Sequence, residues 1–327
     1  MKPTPIILDV DAGVDDTLAI VAALRSPRID VCAITTVAGN VPVPLCTRNV
    51  LLTLEILAPQ LKSIPIVAQG ALGPGKRPLF TAKEVHGNDG IGGASAFYPS
   101  PLLKAEKQLA ANIILDTLKQ EKKITIVATG PLTNIALAIK KDPSVMKRAK
   151  EIVVMGGAFG GAHNTGPVAE FNFYVDPESA DAVMNSGIPI RLVPLNVTEQ
   201  CFLYPGDLRS IRDARLRRYL HRVTDFYFNF HRRTEGFLGG YLHDPLAVVA
   251  AVEPSLVKTE TGYVHVETAG NYTRGASVFF PRLNVKKSAE LPDWVKRDLV
   301  RKPGVHVATD VRADAFKRMF MKMISGR

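Results

Sequence analysis

A buried apolar run that ends in four carboxylates leaves a chain few ways to fold. Residues 6–16 read IILDVDAGVDD, so Asp9, Asp11, Asp15 and Asp16 crowd into one short stretch. Carboxylates this close repel one another, and a hard divalent cation among them is the usual remedy. Residues 6–10 read as a buried parallel strand. Gly13 permits a tight turn. Asp15 or Asp16 stands where a helix N-cap belongs, ahead of the apolar series Leu18, Val21, Ala22 and Leu24. The cluster is therefore expected at the carboxyl end of a first strand, where open α/β sheets place their ligands. One of the four could serve only as a cap, and Asp9 could be an inward polar group that orders the loop. All four together point to a cation.

The 327 residues are 46% hydrophobic and 22% charged, which is ample for a core. No linker, repeat or low-complexity run marks a boundary. Strand and helix patterns alternate, which predicts one α/β domain over residues 1–327 with a mainly parallel sheet. The formal charge of +10 is scattered, with clumps at residues 212–222 and 297–302 that read as solvated helix faces. No aromatic and basic platform accompanies them, so nucleic acid is not an expected partner. Cys32, Cys46 and Cys201 match neither a zinc site nor a redox pair, and Cys32 reads as a core residue of an apolar strand. A reducing, cytoplasmic compartment is expected. The N-terminus reaches charge too soon for a signal peptide, and no apolar run could span a bilayer, so no membrane partner is expected. The Asn-x-Thr triplets at Asn196 and Asn271 are accordingly expected to be unglycosylated.

A second strand at 31–37 runs into Ala38-Gly39-Asn40, and a helix follows at 47–57, stopped by Pro59. Residues 69–100 are rich in Gly and Pro and hold His86-Gly87-Asn88-Asp89-Gly90; a loop this long is usually functional or mobile. A helix at 105–118 leads to a strand at 124–128 and then Thr129-Gly130-Pro131, with Pro at a helix start. A strand at 152–155 enters a glycine-rich loop at 156–166 that precedes Glu170-Phe171-Asn172. A helix at 177–185, a strand at 190–193, an amphipathic helix at 215–233 and a helix opened by Tyr241 to Pro245 follow. Short strands from residue 263 and a helix at 312–324 close the chain. The Asp cluster, Asn40, the Thr129 carbonyl, Asn164, Glu170 and Asn172 all follow strands. In a parallel sheet they share one rim and converge on one crevice.

These residues resemble the inosine-uridine nucleoside hydrolases. DVDAGVDD, TTVAGN, HGNDG, ATGPLTNIA, VVMGGA, NTGPVAEFNFYVDPESA and LHDPLAV are similar to that family's blocks, in order, across most of residues 6–250. The resemblance implies an α/β fold, a bound Ca2+, hydrolysis of the N-glycosidic bond of ribonucleosides, and a homodimer or homotetramer. It puts Asp11 on the general base and Asp11, Asp16, Asp244 and the Thr129 carbonyl on the metal. It puts Asp15, Asn40, Asn164, Glu170 and Asn172 on ribose, with Met155 beneath the sugar. His86 and His243 fall on the leaving-group side, with His243 as the acid. The chemistry agrees, because carboxylates facing an oxocarbenium-like sugar stabilise its developing positive charge. Phe226, Tyr227 and Phe230 lie at helical spacing and read as core, although an aromatic of this helix could line the pocket. Tyr241 and Arg233 are open candidates for contact with the base.

Three positions depart from the pattern. Ala12 stands where most members carry Pro, which is expected to loosen the turn slightly without removing a ligand. GASVFFPR lacks an Asp that often follows Arg-Gly, and Asn196 stands where many members have Asp. Two rival readings remain. A haloacid dehalogenase-type phosphohydrolase would use Asp9 as nucleophile with magnesium. A non-catalytic nucleoside-binding protein could share the scaffold, although binding alone does not need Asp11.

Overall fold

Strand β1 (Thr4–Val10) is the hinge of the architecture, with parallel neighbours on both sides. The computed structural model describes residues 2–121, 123–282, 291–293, 296, 299 and 303–326. From β1 the chain steps outward through β2 (Ile29–Thr36) and β3 (Ile66–Gln69), then returns to the opposite side of β1 with β4 (Thr125–Ala128), β5 (Glu151–Met155) and β6 (Ile190–Val193). A two-stranded antiparallel ribbon, β7 (Phe202–Leu203) with β8 (Gly240–Tyr241), lies apart. β10 (Ser277–Pro281) is the edge strand, antiparallel to β9 (Val257–Val266), and β11 (Val305–Val311) joins β9 to β6, antiparallel to the first and parallel to the second. The sheet order is β10-β9-β11-β6-β5-β4-β1-β2-β3. Strand order therefore reverses between β1 and β4, and at such a switch point the two diverging connections leave a crevice at the carboxyl ends.

Alternation along the strands feeds two cores. Ile6, Leu8 and Val10 join the core beneath α1 (Val14–Arg25), α2 (Val43–Leu57) and the helices Ala214–Thr234, His243–Val252 and Ala313–Ser325. Ile7, Ile126 and Val154 join the core beneath the helices Ala110–Gln120, Thr133–Lys141 and Pro177–Met184. Both faces are covered, which is why the central strands read as unbroken apolar runs.

Several boundaries differ from the sequence reading for local reasons. α1 begins at Val14 with Gly13 as its N-cap, so neither Asp15 nor Asp16 caps by preceding the helix; Asp16 reaches back from the third position to the Gly13 N–H at 2.7 Å. α2 starts at Val43, ahead of Pro44, which sits in the first turn where its missing N–H costs nothing. The helix after Pro131 starts only at Thr133, and the one expected from residue 105 starts at Ala110. Cys32 is half-buried rather than core, whereas Cys46 and Cys201 are buried, and all three thiols are free. On Ala214–Thr234 Arg215, Arg218, Arg232 and Arg233 face solvent, while Arg217 and Arg222 are half-buried, with Arg222 over the Phe97 ring at 3.8 Å. The clump at 297–302 lies, Leu299 apart, outside the described residues. Among the described residues no helix is long and apolar enough to cross a membrane.

Candidate active site

The turn after β1 carries the acidic cluster into the crevice. Asp11 Oδ2 accepts the Asn40 N–H at 2.7 Å, and a Cβ on Gly39 would collide with that oxygen, so only glycine admits the carboxylate there. Asp16 Oδ1 accepts from Thr129 Oγ1 at 2.8 Å, and its Oδ2 accepts from Asn40 Nδ2 at 3.3 Å. Asp244, near the start of the helix His243–Val252, comes in from a distant part of the chain to meet Asp15 and Asp16. One oxygen from each of these three buried side chains lies within 4.8 Å of the others. Asp11 sits beside this trio and interacts with Asp16.

The electrostatics are those of crowded acids. Burial, then the Asp16 charge, pushes the Asp15 carboxyl up to about 7. Burial followed by neighbouring carboxylates also raises Asp11 and Asp244 well above the usual range. No Lys or Arg is among the described residues lining the cavity, although the chain is strongly basic overall. Hard oxygen donors, buried and uncompensated by a basic side chain, fit a hard divalent cation.

Asp9 does not belong to this group. It lies inside β1 and turns to the face that carries Ile7, where its Oδ1 accepts from Thr35 Oγ1 at 2.6 Å and Asn134 Nδ2 at 2.8 Å. It does not line the cavity, and that removes the nucleophile which the phosphohydrolase reading requires.

The cavity above the trio holds about 660 Å³, enough for a small ligand. Asn40, Met155, Asn164, Glu170 and Asn172 all line it. Asn172 Nδ2 donates to the Thr129 carbonyl at 2.8 Å and to the Met155 carbonyl at 3.2 Å, tying the ends of β4 and β5 together. Glu170 caps the helix Phe171–Val175: Oε1 accepts from Asn172 N at 2.7 Å, and Oε2 from Gly157 N at 2.9 Å and Phe173 N at 3.2 Å. Burial still lifts its carboxyl to about 7. Asn164 is exposed, on the glycine-rich loop, and its Oδ1 accepts the Phe171 N–H at 2.8 Å.

The opposite wall is aromatic. His86 is buried, not a surface group of a mobile loop. Its Nδ1 accepts the Val14 N–H at 3.1 Å and its ring stacks on Tyr227 at 5.7 Å. Burial holds its pKa down at about 3, so the 4.0 Å approach to Asp15 is not an ion pair. With Nδ1 occupied as an acceptor, the neutral ring carries its proton on Nε2. His243 Nδ1 lies 2.7 Å from Thr198 Oγ1, and burial also holds this ring at about 3. Tyr227, Phe230, His231, Glu235 and Tyr241 complete the wall. His231 Nδ1 meets Glu235 Oε1 at 2.8 Å, and Tyr241 Oη donates to Glu235 Oε2 at 2.5 Å. Arg233 is exposed and does not line the cavity; Tyr241 does. His231 and Glu235 went unnoticed in the sequence, although Tyr227, His231 and Glu235 recur every fourth residue on one helix face.

A model of the family "Inosine-uridine preferring nucleoside hydrolase" matches residues 6–318. The chain is 40% identical over 278 residues to a pyrimidine-specific ribonucleoside hydrolase RihA of Salmonella paratyphi C, covering 84% of this chain and 88% of that one. It is 38% identical over 323 residues to a probable uridine nucleosidase 2 of Arabidopsis thaliana, covering 97% and 96%. Among solved structures, the plant nucleoside hydrolase PpNRh1 superposes with a TM-score of 0.88 at 34% identity, over 99% of this chain and 100% of that one. A purine-preferring ribonucleoside hydrolase from Gardnerella vaginalis does so with a TM-score of 0.86 at 34% identity, over 99% and 98%.

Proposed function

The chain belongs to the inosine-uridine preferring nucleoside hydrolase family, and from that premise we propose a Ca2+-dependent hydrolysis in which each part of the cavity has its own task. The enzyme is a ribonucleoside hydrolase, an N-glycosyl hydrolase. The observation that carries the metal reading is the convergence of Asp15, Asp16 and Asp244 at the switch point, in a cavity that, among the described residues, is lined by no basic side chain but histidine. Asp15 thereby joins the ligand set proposed for Asp11, Asp16, Asp244 and the Thr129 carbonyl. A bound Ca2+ would supply Lewis acidity and an anchor for the ribose diol.

The remaining steps fall to the protein. Water attacks C1′ while the C1′–N bond breaks, and the bond pair leaves with the base. Asp11, oriented by the Asn40 N–H, takes the proton of that water. Positive charge growing on the sugar meets the buried carboxylates of the floor. Asn40, Met155, Asn164, Glu170 and Asn172 cradle the ribose. His86, whose neutral tautomer has a free Nε2–H, donates a hydrogen bond to the departing base, and His243 assists on the same side. Retained Asp11 favours this over the non-catalytic reading. We also propose one domain spanning the chain, a cytoplasmic setting suited to three free thiols, and a homodimer or homotetramer.

Uridine is the substrate to test first, because the names of two relatives specify pyrimidine or uridine. The test is turnover of uridine by chelator-treated protein before and after addition of CaCl2. Activity lost on chelation and restored by Ca2+ supports the reading. Full turnover by metal-stripped protein sinks it.

A further inference from the structure

Ala12, between Asp11 and the start of α1, has φ +42° and is fully buried. Lys123 is the only other non-glycine residue with positive φ among the described residues. The left-handed region disfavours a residue with a Cβ, and a proline, with φ fixed near about −65°, could not enter it. The turn is therefore not merely loosened by Ala12. It follows a path that the backbone does not prefer and that its surroundings must impose.

Two side chains of α2 supply that imposition. Cys46 and Asn49 lie one helical turn apart, both buried. Cys46 Sγ shares its single proton between the Asp11 carbonyl at 2.9 Å and the Val41 carbonyl at 3.3 Å, and Asn49 Nδ2 donates to the Ala12 carbonyl at 3.1 Å. The same Asn49 amide donates to the Asp89 carbonyl at 2.8 Å, clipping the segment that follows His86 to the turn. Both bonds require the amide nitrogen, so the orientation of Asn49 is fixed even though its Oδ1 is buried without a partner. Consecutive carbonyls are thus held from α2, while the Asp11 carboxylate is held from the far side by Asn40 N.

We propose that Asn49, with Cys46 in support, is a positioning residue that holds the Asp11-Ala12 turn in its left-handed conformation and so keeps the floor carboxylates in a cation-binding arrangement. This rests on the metal reading above. Groups that orient ligands from behind commonly change metal affinity when removed. Strain adds a specific signature. Glycine adopts positive φ at no steric cost, so a turn carrying Ala12→Gly should need no clip.

The experiment is a double-mutant cycle read by calorimetric titration of CaCl2 into chelator-treated protein. Asn49→Ala is expected to weaken Ca2+ binding roughly ten- to a hundredfold. Adding Ala12→Gly to that variant should recover most of the loss, which a mere packing defect at residue 49 would not allow. Cys46→Ala should show a smaller loss with the same rescue, and this cycle decides the matter if Asn49→Ala does not fold. Equal Ca2+ affinity in wild type and the variants, or no rescue by Ala12→Gly, overturns this inference alone. A wild-type chain that binds no Ca2+ overturns the metal reading and this inference with it.

Discussion

The floor and the wall of the cavity are built differently. On the floor, polar side chains at the ends of β1, β2, β4 and β5 hold one another or a backbone group: Asp11 with Asn40 N, Asp16 with Gly13 N and Thr129, Asn172 with the Thr129 and Met155 carbonyls. On the wall, rings hold rings, with His231 edge-on to Tyr227 at 4.5 Å and to Tyr241 at 5.0 Å. His231 Nε2 is buried with no hydrogen-bond partner, and the Glu235 side chain that meets the opposite nitrogen is 39% exposed. Every ribonucleoside shares the sugar that the floor would meet, and only the base varies. On the proposed reading the sheet end would carry the chemistry common to all substrates, and one helix face would adapt to the base.

The largest expected effect probes the floor through its substrate. Removing the ribose 2′-hydroxyl leaves buried polar groups there without a partner, so kcat/KM for 2′-deoxyuridine should fall by roughly 10⁴-fold relative to uridine. Base release followed by absorbance measures both. Comparable values would dissolve the distinction between floor and wall. Next in size, Asp11→Ala should lower kcat by about a thousandfold on every nucleoside alike, while calorimetry still detects Ca2+ through Asp15, Asp16 and Asp244. A loss confined to one base would move Asp11 out of the sugar chemistry.

The floor was legible in the sequence because strand ends are local features: an apolar run, a glycine and a polar residue suffice to place Asp11, Asn40 and Thr129. The parity of β1, already read as ending at residue 10, could also have removed Asp9, since it shares a face with Ile7. The wall was less legible. A helical stripe of Tyr227, His231 and Glu235 looks the same whether it faces a core or a cavity. The burial of His86 depends on Val14, 72 residues distant, and on Tyr227, neither of which its own segment announces.

A middle-sized effect tests whether the histidines act on the leaving group. His86→Ala and His243→Ala should each slow uridine by roughly a hundredfold, in line with loss of a hydrogen-bond donor to the charge developing on the departing base. Both should spare p-nitrophenyl riboside, whose phenolate leaves unaided, because only the sugar machinery is common to the two substrates. Equal losses on both would reassign the residue to the floor, a real alternative for His86 because its Nδ1 also secures the first N–H of α1.

The smallest expected effect lies furthest from the sugar. Burial lowers the His231 pKa, and the hydrogen bond and charge of Glu235 oppose that shift. Glu235→Gln removes the charge while leaving an amide oxygen able to accept from His231 Nδ1, so the His231 pKa should fall further. The pair is partly solvent-exposed, and exposed ion pairs contribute only about 0.2–1 kcal/mol, so kcat/KM should change by no more than roughly fivefold. The change should differ between uridine and inosine, whose bases reach the wall differently, and should vanish on p-nitrophenyl riboside. Nuclear magnetic resonance titration of the His231 ring reads the pKa directly, and a three-substrate comparison reads the selectivity. A uniform change across all three substrates would mean that Glu235 acts through the floor after all, and the division of labour between sheet end and helix face would fail at its most exposed point.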